Sequence, residues 1–477
     1  MHLSNCAIMK RGESCQELRV INPATRQVIA KLPTDRPPSV ACKYTRARRA
    51  QPEWAAVSLS ERLSVIARFR HLVESELEEL AQLLTGEVGK PIRQSRNELN
   101  AFLGRIDFFI KQTAQTIQPE TVWPEKGSGR KSSNLTERIT HEPLGVIACI
   151  SAWNYPWFVG GNVYLPALLA GNTVLYKPSE YATLSGMKMA ELLHRASVPQ
   201  EVFIVLVGAG EVGVALIAQP IDGVFFTGSD ATGQAIACAL AGRFVKVQLE
   251  LGGKDPVYIC EDTDIAKSAA SVADGAFYNT GQSCCSVERI YVHRRIHKHF
   301  VEAFVEQVRS YRIGDPSDEA TYIGPLTREE QLDVLEDQVK DAKRRGATIK
   351  LGGHRMQGNY FAPTVLTSVS HVMKVMREES FGPIVGIMPV RNDDEAVKQM
   401  NDTEYGLTAG VYTPDRQRAE NILRPVRSGS AYWNCCDRVS PRLPWGGVDH
   451  SGIGVTLSQY GIQTFTRPRA WHLKNGL

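Results

Sequence analysis

Two short segments hold the residues best suited to chemistry. In Leu249-Glu250-Leu251-Gly252-Gly253-Lys254 a lone carboxylate stands in an apolar run that ends in a Gly-Gly turn. In Gly281-Gln282-Ser283-Cys284-Cys285 a thiol pair follows a glycine, just after a predicted helix. A carboxylate that acts as base and a thiolate that attacks a carbonyl are the two parts of a covalent acyl-enzyme mechanism. Glu250 has Val245, Val247, Leu249 and Leu251 around it, which predicts a largely buried strand. Burial raises a carboxylate's pKa toward the range of a general base. The plainer alternative is a buried glutamate paired with a nearby lysine. Cys284 leads toward the predicted strand Ile290-Tyr291-Val292, so its side chain is expected at a domain edge. Its plainer alternative is a small buried hydrophobe, and spacing alone does not choose between Cys284 and Cys285.

Three further segments qualify. Trp153-Asn154-Tyr155-Pro156-Trp157 follows a predicted strand, and the Asn154 amide can donate to a developing oxyanion without adding charge. Its alternative is an aromatic turn. Gly208-Ala209-Gly210-Glu211-Val212-Gly213 has the G-x-G-x-x-G spelling between a strand and a helix, a weak signal in a chain with 39 glycines. Phe226-Thr227-Gly228-Ser229 ends a strand and opens a helix whose N–H groups suit a pyrophosphate, and Lys177-Pro178-Ser179-Glu180 ends another.

The elements that position these residues follow from the apolar pattern. Helices are predicted from about Ser60 to Ile117, with Leu63, Ile66, Phe69 and Val73 on one face and Ser60 as N-cap. A polar stretch from Lys126 to Thr136 reads as an exposed arm. Short apolar runs at 144–150, 173–176, 202–207, 223–226 and 245–249 alternate with helical patterns, which predicts a doubly wound parallel sheet able to hold a dinucleotide. A second α/β unit follows, with strands at 257–259, 290–292, 384–390 and 410–412. The stretch from Gly461 to His472 has little to pack on alone and is expected to dock elsewhere.

A chain of 477 residues exceeds one hydrophobic core. Its 55 basic and 51 acidic residues nearly balance, which gives no electrostatic case for nucleic acid or an anionic membrane as partner. No apolar stretch is long enough for a membrane span, and Met1 to Lys10 lacks the apolar run of a signal peptide. The ten cysteines show no zinc-like spacing, so no metal is expected. A reduced, cytoplasmic protein is the simplest reading.

Taken together the chain resembles the aldehyde dehydrogenase superfamily over almost its whole length. The matching pieces are Glu87 to Pro91, Trp153 to Pro156, Lys177 to Glu180, Phe226 to Ser229, Glu250 to Lys254, Gly281 to Cys284, Glu379-Ser380-Phe381-Gly382-Pro383 and Pro444-Trp445-Gly446-Gly447. The resemblance implies a Rossmann-type cofactor domain (1–120 and 144–252), an α/β catalytic domain (253–447) and a small β oligomerisation arm (121–143 and 460–477). It implies Cys284 as nucleophile, Glu250 as base and Asn154 as oxyanion donor. A dinucleotide would lie on Trp153, Lys177, Ser179, Glu180, Gly210, Gly228, Ser229, Glu379 and Phe381, bound in a variant manner that makes the glycine string secondary. The Glu180 carboxylate favours NAD over NADP, because it accepts ribose hydroxyls and repels a 2′-phosphate. The expected assembly is a homodimer or homotetramer.

The resemblance implies a small aldehyde as substrate, with tunnel walls expected from Tyr155, Trp157, Phe158, Tyr278 and Cys285. Arg438 and Arg442 at the mouth suggest a semialdehyde. Against this, succinic semialdehyde dehydrogenases carry arginines where this chain has Asn162 and Tyr278, and an aromatic tunnel for uncharged aldehydes is the alternative. The competing functions are a CoA-acylating enzyme, which would lack the base, and a non-catalytic homologue, which would lose Cys284, Glu250 or Asn154.

Overall fold

The computed structural model describes residues 17–123 and 134–475. The start from Met1 to Lys10, and the predicted arm from Lys126 as far as residue 133, lie outside the described residues.

The first sheet has six strands. Five are parallel, in the order Lys246–Glu250, Gly223–Thr227, Val146–Ile150, Thr173–Lys177, Phe203–Val205, and the two-residue strand Gly452–Ile453 adds antiparallel beside Lys246–Glu250. Val146–Ile150 and Thr173–Lys177 are buried at every residue, as a strand covered on both faces must be, and both read as nearly unbroken apolar runs. Strand order reverses at Val146–Ile150, so a crevice opens beyond the carboxyl ends of the strands. Those ends deliver Ile150, Lys177, Thr227 and Glu250.

Four helices, Pro37–Ala56, Leu59–Ser75, Leu77–Val88 and Ile92–Thr116, precede this sheet. Ser58, not the expected Ser60, caps the second, accepting the Glu61 N–H at 3.2 Å. The cap sits two residues earlier because Leu59 already has helical geometry. Helix Pro156–Leu169 is buried at every residue except Phe158 and packs between Ile92–Thr116 and the sheet. Being apolar on all sides it has no 3.6-residue stripe, which is why periodicity gives no sign of it. Phe69, Phe102, Trp157 and Tyr164 form its aromatic core.

The second sheet has seven strands in the order Thr348–Leu351, Thr364–Thr367, Ile384–Val390, Val287–His293, Asp255–Ile259, Thr408–Tyr412, Ser430–Trp433. Only the first pair is antiparallel. The C-terminal stretch does dock elsewhere: Thr466–Lys474 pairs antiparallel with Leu135–Pro143, which pairs with Glu120–Trp123. Among the described residues no helix is long and apolar enough to cross a membrane.

Candidate active site

The thiol loop is held in a costly backbone shape. After helix Ile265–Phe277 the chain turns through Asn279, Thr280 and Gly281, all with positive φ (53°, 59° and 71°). Non-glycine residues in this region are strained and persist only where surrounding contacts fix them. Those contacts are specific. The Asn279 amide donates to the carbonyls of Asn154 (3.2 Å) and Gln282 (3.1 Å), and Gln282 Oε1 accepts the Thr327 N–H at 2.9 Å. A Cβ at Gly281 would lie 2.2 Å from the Gly382 carbonyl oxygen, so only glycine fits.

This loop leaves Cys284 half-buried at a cavity wall and turns Cys285 inward. The Cys285 thiol donates to Asp437 Oδ1 at 2.9 Å, and Ser283 Oγ donates to the same oxygen at 3.2 Å. The adjacent Cys284 sulfur, burial and the Asp437 charge push the Cys285 thiol well up, so it stays protonated. The Asn154 amide donates to the Gln282 carbonyl at 3.1 Å. An amide nitrogen has two N–H groups, so one remains for a ligand oxygen.

Glu250 closes its strand at the sheet's carboxyl end, fully buried. The nearby lysine is taken elsewhere: Lys254 pairs with Glu288, whose carboxylate also accepts the N–H groups of Ser380 and Phe381. Glu250 is left with neutral donors, Gln248 Nε2 at 3.1 Å and the Thr456 hydroxyl. Both converge on Oε1. Burial lifts its pKa to about 7 against these two hydrogen bonds. The Gly-Gly turn then brings the chain against the thiol loop, where a Cβ at Gly253 would sit 2.8 Å from the Cys284 carbonyl oxygen.

Two cavities concern this centre, and Cys284 lines the first. One, of about 680 Å³, contains Tyr155, Phe158, Tyr278, Cys284, Cys285, Arg438 and Arg442 in its wall. Trp157, expected beside them, is instead fully buried, 5.6 Å from the Phe102 ring. As an early helix residue it faces the core while Tyr155 and Phe158 face the cavity. The other cavity, of about 520 Å³, is lined by Trp153, Lys177, Ser179, Glu180, Gly210, Gly228 and Ser229 among others. Glu379 and Phe381 do not line it. The Phe381 ring packs edge-on to Trp153 at 5.5 Å, and Glu379 accepts the Gly253 N–H at 3.1 Å, its pKa raised to about 8 by burial.

The second cavity fits a dinucleotide. A Cβ at Gly210 would meet nothing within 4 Å, so backbone can approach a phosphate there. Ser229 caps helix Asp230–Leu240, whose first N–H groups face the same space. The Glu180 carboxylate stands half-exposed 3.8 Å from the Lys177 ammonium. Gly213, Val214 and Ile217 join Gly210 in the wall, so the glycine string does border the site.

Sequence reasoning missed Arg105 and Glu98. Gln94, Glu98, Ala101 and Arg105 all line the cavity of Cys284. Their spacing of four, three and four is a helical stripe beside the apolar one of Leu99, Phe102 and Ile106, and that stripe was the available signal. Among the described residues no group of three or more His, Cys, Asp or Glu side chains is placed to hold a metal.

A largely parallel sheet with a dinucleotide-sized cavity at its strand ends, joined to a second sheet that carries a thiol loop, is the architecture of a nucleotide-dependent oxidoreductase. The chain matches the aldehyde dehydrogenase family over residues 9–471 and belongs to it, which makes it an aldehyde oxidoreductase. It is 36% identical to a betaine aldehyde dehydrogenase of Brucella anthropi over 443 residues, covering 91% of this chain and 89% of that one. Its fold superposes on an NAD-dependent aldehyde dehydrogenase from Sinorhizobium meliloti with a TM-score of 0.92 at 31% identity, covering 97% of this chain and 92% of that one. An E. coli NADP-dependent enzyme gives 0.92 at 30% identity, with 96% and 95% covered.

Proposed function

We propose that the protein oxidises an aldehyde to its carboxylic acid through an acyl group carried on Cys284, with NAD preferred and NADP the second choice. The observation that carries this reading is that the Asn154 amide and the Gly-Gly turn after the buried Glu250 both pack on the loop that presents Cys284 to a cavity.

Cys284 attacks the aldehyde carbon as thiolate. The free Asn154 N–H and the Cys284 backbone N–H then hold the alkoxide of the thiohemiacetal. A bound nicotinamide supplies a hydride acceptor. Loss of hydride leaves a thioester on Cys284. Glu250 Oε2, which carries neither of the two donors on Oε1, takes a proton from water, and the hydroxide formed releases the acid. A carboxylate with a pKa of about 7 suits that step near neutral pH, and its presence speaks for water rather than CoA as acyl acceptor.

The sheet before residue 252 would serve the dinucleotide and the one after it the thiol. The edge strand Thr466–Lys474 is exposed over most of its length, which supports its use in joining subunits into a homodimer or homotetramer.

The test is aldehyde-dependent NADH formation with a panel of simple aldehydes. Wild type is expected to turn over and Cys284→Ser to lose activity by at least about 10³-fold. Full turnover by Cys284→Ser would refute the covalent route.

A further inference from the structure

Arg105 is a buried cation whose hydrogen bonds go to neutral atoms. Its residue is 3% exposed and lies in helix Ile92–Thr116, facing the cavity that holds Cys284. Its Nη1 donates to Asn162 Oδ1 at 2.8 Å, and its Nη2 makes a long contact to the Val439 carbonyl at 3.4 Å. The guanidinium lies 4.0 Å from the centre of the Phe158 ring. Burial draws its pKa down to about 10, against the opposing pull of the Glu250 and Glu98 charges, neither of which hydrogen-bonds to it.

The carboxylates of the same cavity are engaged with other groups. Glu98 pairs with Lys90 and accepts the Trp157 N–H at 3.0 Å. Asp437 takes the Cys285 and Ser283 donors. Asp274 accepts the Tyr322 hydroxyl at 2.5 Å and lies 3.8 Å from Arg438. Glu250, outside the wall of that cavity, accepts from Gln248 and Thr456 and acts on Arg105 only through its charge. A buried guanidinium is ordinarily matched by an anion, and its planar fork fits a carboxylate through two parallel hydrogen bonds. Here the position that such an anion would fill opens onto the cavity. Arg442 stands exposed in the same wall and adds positive charge on the approach.

We propose that Arg105 anchors a carboxylate at the far end of the aldehyde, so that the substrate class is ω-carboxy aldehydes. This rests on the aldehyde-oxidising reading above and goes beyond it. It also separates this chain from the activity named for its Brucella relatives. A trimethylammonium head is held by open aromatic faces. In this cavity the stacked rings of Tyr155 and Phe158 already carry cations of the protein's own, Lys90 at 3.7 Å and Arg105 at 4.0 Å.

The experiment compares kcat/KM for 4-oxobutanoate, 5-oxopentanoate and 6-oxohexanoate with butanal, pentanal, hexanal and trimethylammonioacetaldehyde. Wild type is expected to favour at least one carboxy-aldehyde over its uncharged counterpart by roughly tenfold or more, with Arg105→Met lowering that ratio by about 30-fold, mainly through KM. Arg105→Lys should restore part of it. If Arg105→Met does not fold, wild type supplies the second readout: pentanedioate should compete with pentanal at least about tenfold better than pentanoate does. A wild type that prefers the alkanal or the trimethylammonium aldehyde, a ratio unmoved by Arg105→Met, or equal competition by the two acids overturns the assignment. A wild type that makes no NADH from any aldehyde in the panel overturns instead the reading on which it rests, and the assignment with it.

Discussion

Glu250 and Cys285 are both buried and both pushed toward their neutral forms, yet they do opposite work. Cys285 is held as a thiol against Asp437, which leaves the half-buried Cys284 as the sulfur free of such a partner in the cavity wall. Glu250 is poised near neutrality because burial outweighs its two hydrogen bonds. The base works only when ionised, so hydrolysis of the acyl group should fall as pH drops through about 7, tenfold per unit well below it. A pH series of acyl release checks this, and a limb near 4 would show that burial does not lift the reacting carboxylate as described. At the cofactor site, Glu180 should make kcat/KM for NAD exceed that for NADP, and Glu180→Gln should narrow the gap; comparable values in wild type would contradict the assignment. Cys284, Glu250 and Asn154 stood out as candidates because a charged or reactive residue beside glycines or at a strand end is locally out of place, but their proposed roles, and the choice of Cys284 over Cys285, came from the family resemblance. Arg105 did not stand out, since an arginine on a long helix looks like a solvated one until its neighbours in space are known. Trp157 misled for the converse reason: proximity in sequence to Asn154 says nothing about which way an early helix residue points.

At the scale of elements, most parallel strands were readable because burial on both faces forces unbroken apolar runs, and each predicted run lies on or within two residues of an observed strand, while the short parallel strands Thr364–Thr367 and Ser430–Trp433 were not read. The strand Gly452–Ile453 was invisible, being two residues long and polar in context, yet it is what brings Thr456 to Glu250. Its contribution can be measured. Thr456→Val keeps the shape and removes a donor to the carboxylate, so the Glu250 pKa should rise and the acid limb of acyl release should move to higher pH. An unmoved limb would mean that Thr456 does not hold the reacting form of Glu250. Helix Pro156–Leu169 escaped because its burial is all-round, and its packing makes it unforgiving: Phe102→Ala, which removes a ring at full burial against Trp157 and Gly161, should cost about 3–5 kcal/mol, read as a loss of thermal stability.

For the whole molecule, the proposed function gives the first sheet to the cofactor, the second to the thiol and the C-terminal edge strand to assembly. Sedimentation should give a dimer or tetramer, and removal of residues 466–477 should shift it to smaller species; a monomeric wild type would contradict that use of the strand. The chemistry itself is tested most directly by intact mass spectrometry of the Glu250→Gln variant after brief exposure to NAD and a good aldehyde substrate. The account predicts a stoichiometric acyl adduct located on Cys284, formed with one equivalent of NADH and released only slowly. Unimpaired steady-state turnover by that variant, or an adduct on any other residue, would contradict it.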